Sequence, residues 1–392
     1  MDIHSLTAEM SAQIISLMHT LHQNPELSEQ EYQTTALLRT RLTDAGIEIL
    51  DLPLSTGLVA IIRGALPGKT VAIRSDIDAL PIQEDPSHEI CSATPGVMHA
   101  CGHDCHTAAT FGAALALHKM RNQLPGNVLV IFQPAEEYST GANAVIDTGV
   151  FDQYPPAAFF SFHVMPDIPL GKIGIRQGGL MAAQKGFTIQ VTGKGSHGAW
   201  PHQSDDPIIT IARITEALQT VSSRLIDPIE PFVLSVCAIH GGSAFNIIPE
   251  CTELTGTCRF INNDLDGMIK ERITEIAERT AQTHRCTAKT TFFRELPAVS
   301  NDPRLTSLAE SVAARVCGSG SVMTPALKMG SEDFSLFSRI APSFMYHVGC
   351  GNEALTSPPL HNRGLIVPDK TCTTALELMC QTVWDFLASA SV

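Results

Sequence analysis

The chain has 392 residues, 44% hydrophobic and 17% charged, with two Trp. It is therefore long enough for two domains of about 100–200 residues each and apolar enough to bury a large core, which excludes a disordered chain. Lys and Arg number 26 against 40 Asp and Glu, a formal net charge of −14. With no basic cluster in the sequence, that balance excludes nucleic acid and anionic membrane as the main partner and leaves a small molecule.

No stretch approaches the ~20 apolar residues of a membrane span, and Met1 to Leu6 lack the charged-then-apolar pattern of a signal peptide, so a cytoplasmic location is expected. The eleven Cys agree with it. Their number is odd, their spacing is irregular, and Cys237, Cys317 and Cys380 stand in apolar runs where a free thiol serves as a small core side chain. Residues 10–47 read as helix, with Ile14, Ile15, Leu17, Met18 and Leu21 before Asn24-Pro25 and Ala36, Leu37, Leu38 and Leu42 after it; the proline splits the pattern in two. Apolar runs at Gly57–Gly64, Thr70–Ser75, Asn127–Phe132 and Ala157–Phe162 read as buried strands, and Thr107–Met120 as a helix between two of them. That alternation predicts an α/β fold with several parallel strands.

The texture changes near Gln184. Gly186 to Val191 alternates as a half-buried strand does, and is followed by a helix (206–224), strands at Phe232–Ile239 and Thr252–Phe260, a helix (264–284) and a strand at Thr287–Phe293. Two helices and four alternating strands make an α+β unit of their own. After Pro297 mixed elements return and end in a helix over 370–388. Residues 184–296 are thus expected as an inserted domain within a discontinuous domain of residues 1–183 and 297–392.

The densest chemical signal is Met98-His99-Ala100-Cys101-Gly102-His103-Asp104-Cys105-His106. Packing does not call for three His and two Cys in nine residues, whereas thiolate and imidazole together bind Zn²⁺ and similar ions. Cys101 and His103 can face one ion, with Asp104 behind an imidazole to hold its tautomer; a structural zinc loop is the plain alternative. Gln133-Pro134-Ala135-Glu136-Glu137 follows a predicted strand. Adjacent carboxylates there either open a helix or divide the tasks of holding a metal and taking a proton from water. His163 closes a second strand and Asp76 and Asp78 a third, so three strands deliver Asp76 and Asp78, Glu136 and Glu137, and His163 to one sheet edge, as ligands collect at the carboxyl ends of strands in open α/β sheets. His361, in Pro359-Leu360-His361-Asn362, is a turn-like His with an ordinary surface reading.

These pieces, together with Asn24-Pro25-Glu26-Leu27, Arg74 to Pro81 and Phe162-His163-Val164, resemble in order the amidohydrolase branch of the M20 metallopeptidases, which includes hippurate hydrolases, N-acyl-amino-acid deacylases and auxin-conjugate hydrolases. The resemblance implies a mixed-sheet α/β catalytic domain with an inserted α+β lid that dimerises, giving a homodimer or a higher homo-oligomer. It implies two divalent ions, Zn²⁺ or Mn²⁺, held by Cys101, His103, Glu137, His163 and His361, with Glu136 as general base and Asp76, Asp78 and Asp104 behind the ligands. His197, in Gly195-Ser196-His197-Gly198, takes the role of polarising the scissile carbonyl in the opposite subunit, and Asn246 and Arg259 that of gripping the substrate's α-carboxylate. Gly330-Ser331-Glu332-Asp333-Phe334 matches a family block near the site. The implied reaction is metal-dependent hydrolysis of N-acyl amino acids to a carboxylic acid and a free amino acid; a dipeptidase or carboxypeptidase of the same family is the near alternative, and a non-catalytic binding module the distant one. The chain departs from the wider family in carrying Asp76 and Asp78 where relatives have a His–Asp pair, Cys101 where a bridging carboxylate stands, and His19-Thr20-Leu21-His22 where paired Arg is frequent.

Overall fold

The computed structural model describes residues 2–352, 354 and 356–389. The apolar runs form strands that pair in an eight-stranded mixed sheet. At its centre Pro125–Gln133, Leu66–Asp76, Pro156–Pro169 and Ser343–Gly351 lie side by side and parallel. Leu58–Arg63 adds antiparallel on one side and Ile173–Gly174 on the other. Central strands that are covered on both faces must be apolar throughout. Val128 to Phe132 and Val71 to Ile73 are accordingly buried without interruption. Helices Ile3–Gln23, His103–Lys119 and Asp369–Ala388 pack on one another and contribute to the same core, through Leu6, Ile14, Phe111, Leu376 and Val383.

Contacts divide the chain into two compact units. The first is Met1–Gly178, Ser300–Ala326 and Asp333–Val392; the second is Gly179–Val299 with Leu327–Glu332. The division therefore differs from a single insertion at 184–296. Leu327–Glu332 returns to the second unit because its backbone bonds there, where the Ala182 N–H donates to the carbonyls of Lys328 and Gly330, each at 2.9 Å. The second unit is a four-stranded antiparallel sheet in the order Phe232–Gly241, Cys251–Phe260, Ala183–Thr192, Thr287–Leu296. Helices Pro207–Thr220 and Asp266–Thr283 cover one face, burying Ile211, Ile214, Leu218, Ile269 and Ile273 against Phe187, Ile189 and Leu254. Among the described residues no helix is long and apolar enough to cross a membrane.

Two elements depart from the sequence-based expectation near the candidate site residues. Pro156–Pro169 does not end at Phe162 but runs on for seven residues, paired through His163 to His347 and Val164 to Val348, so His163 lies inside a strand. Glu136 and Glu137 open no helix. They sit in a turn whose backbone passes through Ala135 at φ 49°, a left-handed conformation that costs a non-glycine residue about 1 kcal/mol or more.

Helix Ile3–Gln23 is tied to helix His103–Lys119 by charge. His22, in the last turn of the first, places Nδ1 2.7 Å from Asp104, in the first turn of the second, and Nε2 2.9 Å from Glu84. Both helix ends favour these signs of charge. Burial on its own pushes the His22 imidazole down, but the hydrogen bonds and charges of Asp104 and Glu84 outweigh it and raise it to about 9. Asp104 is held down at about 2 against its burial by the same contact. An unfolded His titrates at about 6.5, so the stabilisation, on the order of 3 kcal/mol, is complete below that pH and is lost as pH rises through the folded value. A His22→Gln protein should be less stable than the parent in urea unfolding at about pH 6 and approach it by about pH 10; a gap that stays constant or widens over that range would show that no His22 charge is involved.

Candidate functional site

The site begins with the placement of two carboxylates. Strand Leu66–Asp76 ends with Asp76 buried, and Asp78 follows it, also buried. Asp78 accepts from Ser28 Oγ (2.7 Å), from the Glu137 N–H (3.0 Å) and from His103 Nδ1 (3.1 Å), while its carbonyl lies 2.9 Å from the same His103 nitrogen. Burial opposes ionisation of Asp78, yet these bonds keep its pKa below the ordinary carboxylate value. With Nδ1 donating to Asp78, His103 presents Nε2, which is buried without a hydrogen-bond partner. This is the arrangement in which a carboxylate sets the tautomer of a metal-binding imidazole. Asp78 holds His103 in this way; Asp104, expected behind such an imidazole, is turned instead to His22.

Gly102 lets helix His103–Lys119 start beside the third strand. It has φ 82°, and a Cβ there would come within 2.4 Å of Val164 Cγ2, so no other residue brings Cys101 and His103 this close to Pro156–Pro169. Cys101 Sγ lies 3.5 Å from His163 Nε2. His163 Nδ1 donates to the Val164 carbonyl at 2.7 Å, which leaves Nε2 as the free lone pair. His361, at φ 62° and anchored by its N–H to Ala100 O (2.8 Å), places Nε2 3.3 Å from Glu137 Oε1.

The donor atoms fall into overlapping groups, each within 4.8 Å: Cys101, His103 and His163; Cys101, Glu137 and His361; and His103, Glu136 and Glu137. Cys101 is common to the first two. Burial pushes the Cys101 thiol up, with the nearby Glu137 adding to it. His163 is pushed down by burial and by His106, so it is neutral and able to ligate. His103, by contrast, is driven well up despite its burial, by Asp76 and Cys101, and His361 is raised to about 10 by Cys101 and Glu137. The surroundings thus demand positive charge at the point where imidazole, thiol and carboxylate converge. Divalent ions satisfy that demand with the same donors, and the mixed S, N and O set fits Zn²⁺ or Mn²⁺ in ligand type.

Three supporting residues, His106, Arg74 and Asp333, stand in motifs of the sequence but received no individual role from it. His106 Nδ1 donates to Asp76 Oδ1 (2.7 Å), and its Nε2 accepts the Val164 N–H (3.0 Å). An amide N–H only donates, so this assigns the tautomer, and His106 steadies the peptide to which His163 is bonded. Arg74, wholly buried, donates from Nη1 to Asp76 Oδ2, from Nη2 to Asp333 Oδ1 and from Nε to Gln133 Oε1, at 2.8, 2.8 and 2.9 Å. Spacing three residues from His103 along one helix hints at His106, but Arg74 and Asp333 stand 259 residues apart.

His197, Asn246 and Arg259 belong to the second unit. The short strand Ser196–His197 pairs with Ile247–Ile248, and Gly198 N–H donates to Asn246 O at 2.8 Å, so His197 and Asn246 share one exposed corner. The Ala199 N–H donates to His197 Nδ1 at 3.1 Å, which puts the imidazole proton on Nε2. Arg259 lies on Cys251–Phe260, opposite Gln184.

The sequence profile described as Peptidase family M20/M25/M40 matches residues 72–384. An N-acetylcysteine deacetylase from Bacillus subtilis (strain 168) is 40% identical over 337 residues, which are 86% of this chain and 88% of that protein. Thermostable carboxypeptidase 2 from Saccharolobus solfataricus is 37% identical over 88% of each chain. The crystal structure of the Bacillus subtilis YXEP protein, a dinuclear metal-binding peptidase of the M20 family, superposes with a TM-score of 0.84 at 34% identity, covering 97% of this chain and 99% of that one. With matches of this extent carrying the same two-domain mixed α/β fold, the chain belongs to peptidase family M20/M25/M40.

Proposed function

We propose that the protein hydrolyses the amide bond of N-acyl amino acids, N-acetyl or N-aroyl, releasing a carboxylic acid and a free amino acid. The observation that carries this reading is the pair of donor groups sharing Cys101, with the His103 imidazole held through Nδ1 by Asp78 and its buried Nε2 left for the side of Glu136 and Glu137. Cys101, His103, Glu137, His163 and His361 would hold two divalent ions. When bound, such ions polarise a carbonyl and acidify water. Glu136 takes the proton of the attacking water and returns it to the leaving nitrogen, the general acid–base task for which a nearly buried carboxylate beside His103 is suited. His197 donates from Nε2 to the oxyanion, the only ring hydrogen that its bond from Ala199 allows. Arg259 and Asn246 take the amino acid's carboxylate. The thiolate and imidazoles favour zinc and the carboxylates suit manganese.

The name of the 40% identical relative supports an acyl amino acid substrate, and that of the 37% identical one supports the second reading, a carboxypeptidase. Turnover of N-acetyl and N-benzoyl amino acids against dipeptides separates the two. We place the enzyme in the cytoplasm, a reading supported by eleven cysteines that are all free thiols. A homodimer through the second unit is supported by a fully exposed Phe245, by exposed Trp200 and Ile247 beside His197, and by strand Phe232–Gly241 at the border of its sheet. Apolar side chains clustered at one corner and an open strand border are features that a partner covers.

Glu136→Gln should retain metal and lose roughly 10²–10⁴-fold in turnover, because the amide is nearly isosteric but accepts no proton. Glu137→Gln should instead lose metal, read by elemental analysis. Equal metal content in the two variants would mean that the roles are exchanged or shared.

If His197 serves the opposite subunit, His197→Ala and Glu136→Gln proteins are each nearly inactive but complement one another. After subunit exchange half the dimers are mixed, and each has one sound site, so activity should recover to about a quarter of the parent. Demonstrated heterodimers without recovery would defeat action in trans.

A further inference from the structure

Arg259 differs from the other buried cations of this chain. Arg74 is paired with Asp76 and Asp333, and Lys185 with Asp266 and Glu295. Arg259 is half-buried, and burial alone acts on its pKa, lowering it; no neighbouring carboxylate holds it up. Its partners are neutral. Nη1 donates to Ser331 Oγ at 2.8 Å and to Gln184 Oε1 at 3.0 Å, and Ser331 Oγ donates to that same Gln184 oxygen at 2.6 Å. These three bonds close a ring that uses both hydrogens of Nη1. Nε and Nη2 are left, the pair of parallel N–H groups that meets a carboxylate at two points.

The ring is built on rigid pieces. Gln184 stands directly opposite Arg259 in the paired strands. Ser331 follows Gly330, whose carbonyl accepts the Ala182 N–H at 2.9 Å, and Lys328 bridges to Met181. The segment Leu327–Glu332 is thus bonded at Ala182, two residues before Gln184, and brings Ser331 to that strand's start. Neutrality of both partners matters as much as their position. A carboxylate in place of either would satisfy the guanidinium internally and remove its attraction for an outside anion.

We propose that Ser331 and Gln184 are positioning residues that keep Arg259 uncompensated and oriented, and so set the preference for substrates with a free α-carboxylate over their amides. The inference rests on the reading of Arg259 given above. It assigns a task to Ser331 in the Gly330–Phe334 block.

The test compares N-acetyl-L-methionine with N-acetyl-L-methioninamide as substrates of the metal-loaded enzyme. Ser331→Ala should raise KM for the acid roughly five- to tenfold, the effect of about one hydrogen bond, and leave its kcat and the KM of the amide within about twofold. Ser331→Thr, which keeps the hydroxyl, should restore the parent values. Gln184→Glu should raise KM for the acid further than Ser331→Ala, because it supplies the competing anion. A parallel change with both substrates, as a purely structural role predicts, or no change with either, overturns the inference. A parent enzyme without preference for the acid, or an Arg259→Ala variant that keeps that preference, defeats instead the underlying reading of Arg259, and the inference with it.

Discussion

The buried carboxylate of Asp78 is the constraint on which the first unit's site is built. It stands two residues past a central parallel strand and gathers a serine hydroxyl, an imidazole and the Glu137 amide on its two oxygens. Each contact fixes a different piece of chain. Ser28 belongs to the loop after the first helix, His103 to the start of helix His103–Lys119, and Glu137 to the turn after Pro125–Gln133. Taking a carboxylate out of water costs several kcal/mol unless its lone pairs are satisfied. The same bonds that cover that cost aim His103 Nε2 and hold the Glu136-Glu137 turn. Stabilising the anion and shaping the site are therefore one event.

Strand-borne parts of this arrangement were legible in the sequence. Uninterrupted apolar runs marked the parallel centre, and strand ends marked Asp76, Asp78, Glu136 and Glu137, because parallel strands deliver their carboxyl ends to one edge. His163 was found for a less secure reason. The apolar run stopped there, yet the strand continues through Val164 to Pro169, since hydrogen bonding to Ser343–Gly351 and not hydrophobicity decides where it ends. The density of His and Cys between Met98 and His106 singled out Cys101 and His103 as candidate donors with Asp104 behind an imidazole, and gave His106 no role of its own. Asp104 instead turns away to His22, and His106 supports the peptide of His163. That choice depends on which neighbour tertiary packing supplies, and no spacing records it. His361, His197, Asn246 and Arg259 stood out only through family resemblance, because a turn His or a strand Arg has the same local pattern whether or not it meets a ligand.

Left-handed backbone recurs where the donors converge, although Glu29, Ser139, Arg285 and Arg294 adopt it elsewhere. Gly102, Ala135 and His361 all have positive φ, and two of these three are residues that pay a steric cost for it. Each lies beside or at a donor: next to Cys101 and His103, before Glu136, and at His361 itself. A fold selected for stability alone would place glycine at 135 and 361. Their present identity is tolerable because surrounding bonds over-determine the conformation, as when the Ala135 N–H donates to the buried Glu31 carboxylate at 2.8 Å and the His361 N–H to Ala100 O at 2.8 Å. Glu31 illustrates the expense of such support, since burial raises its pKa above the ordinary value.

The two arginines associated with the Gly330–Phe334 block show how partner choice divides structural from receptive charge. Asp333 meets Arg74 in the first unit together with Asp76, so that guanidinium is fully compensated and has nothing left to offer a ligand. Removing one partner would strand a buried charge, at a cost of roughly 3–5 kcal/mol, which is why such a residue belongs to the scaffold. Ser331, two positions earlier, meets Arg259 in the second unit with a hydroxyl. A hydroxyl fixes direction without cancelling charge. The alternation of a neutral and an anionic side chain within three residues thus lets one short segment lock one arginine into the interior and leave the other available to a carboxylate.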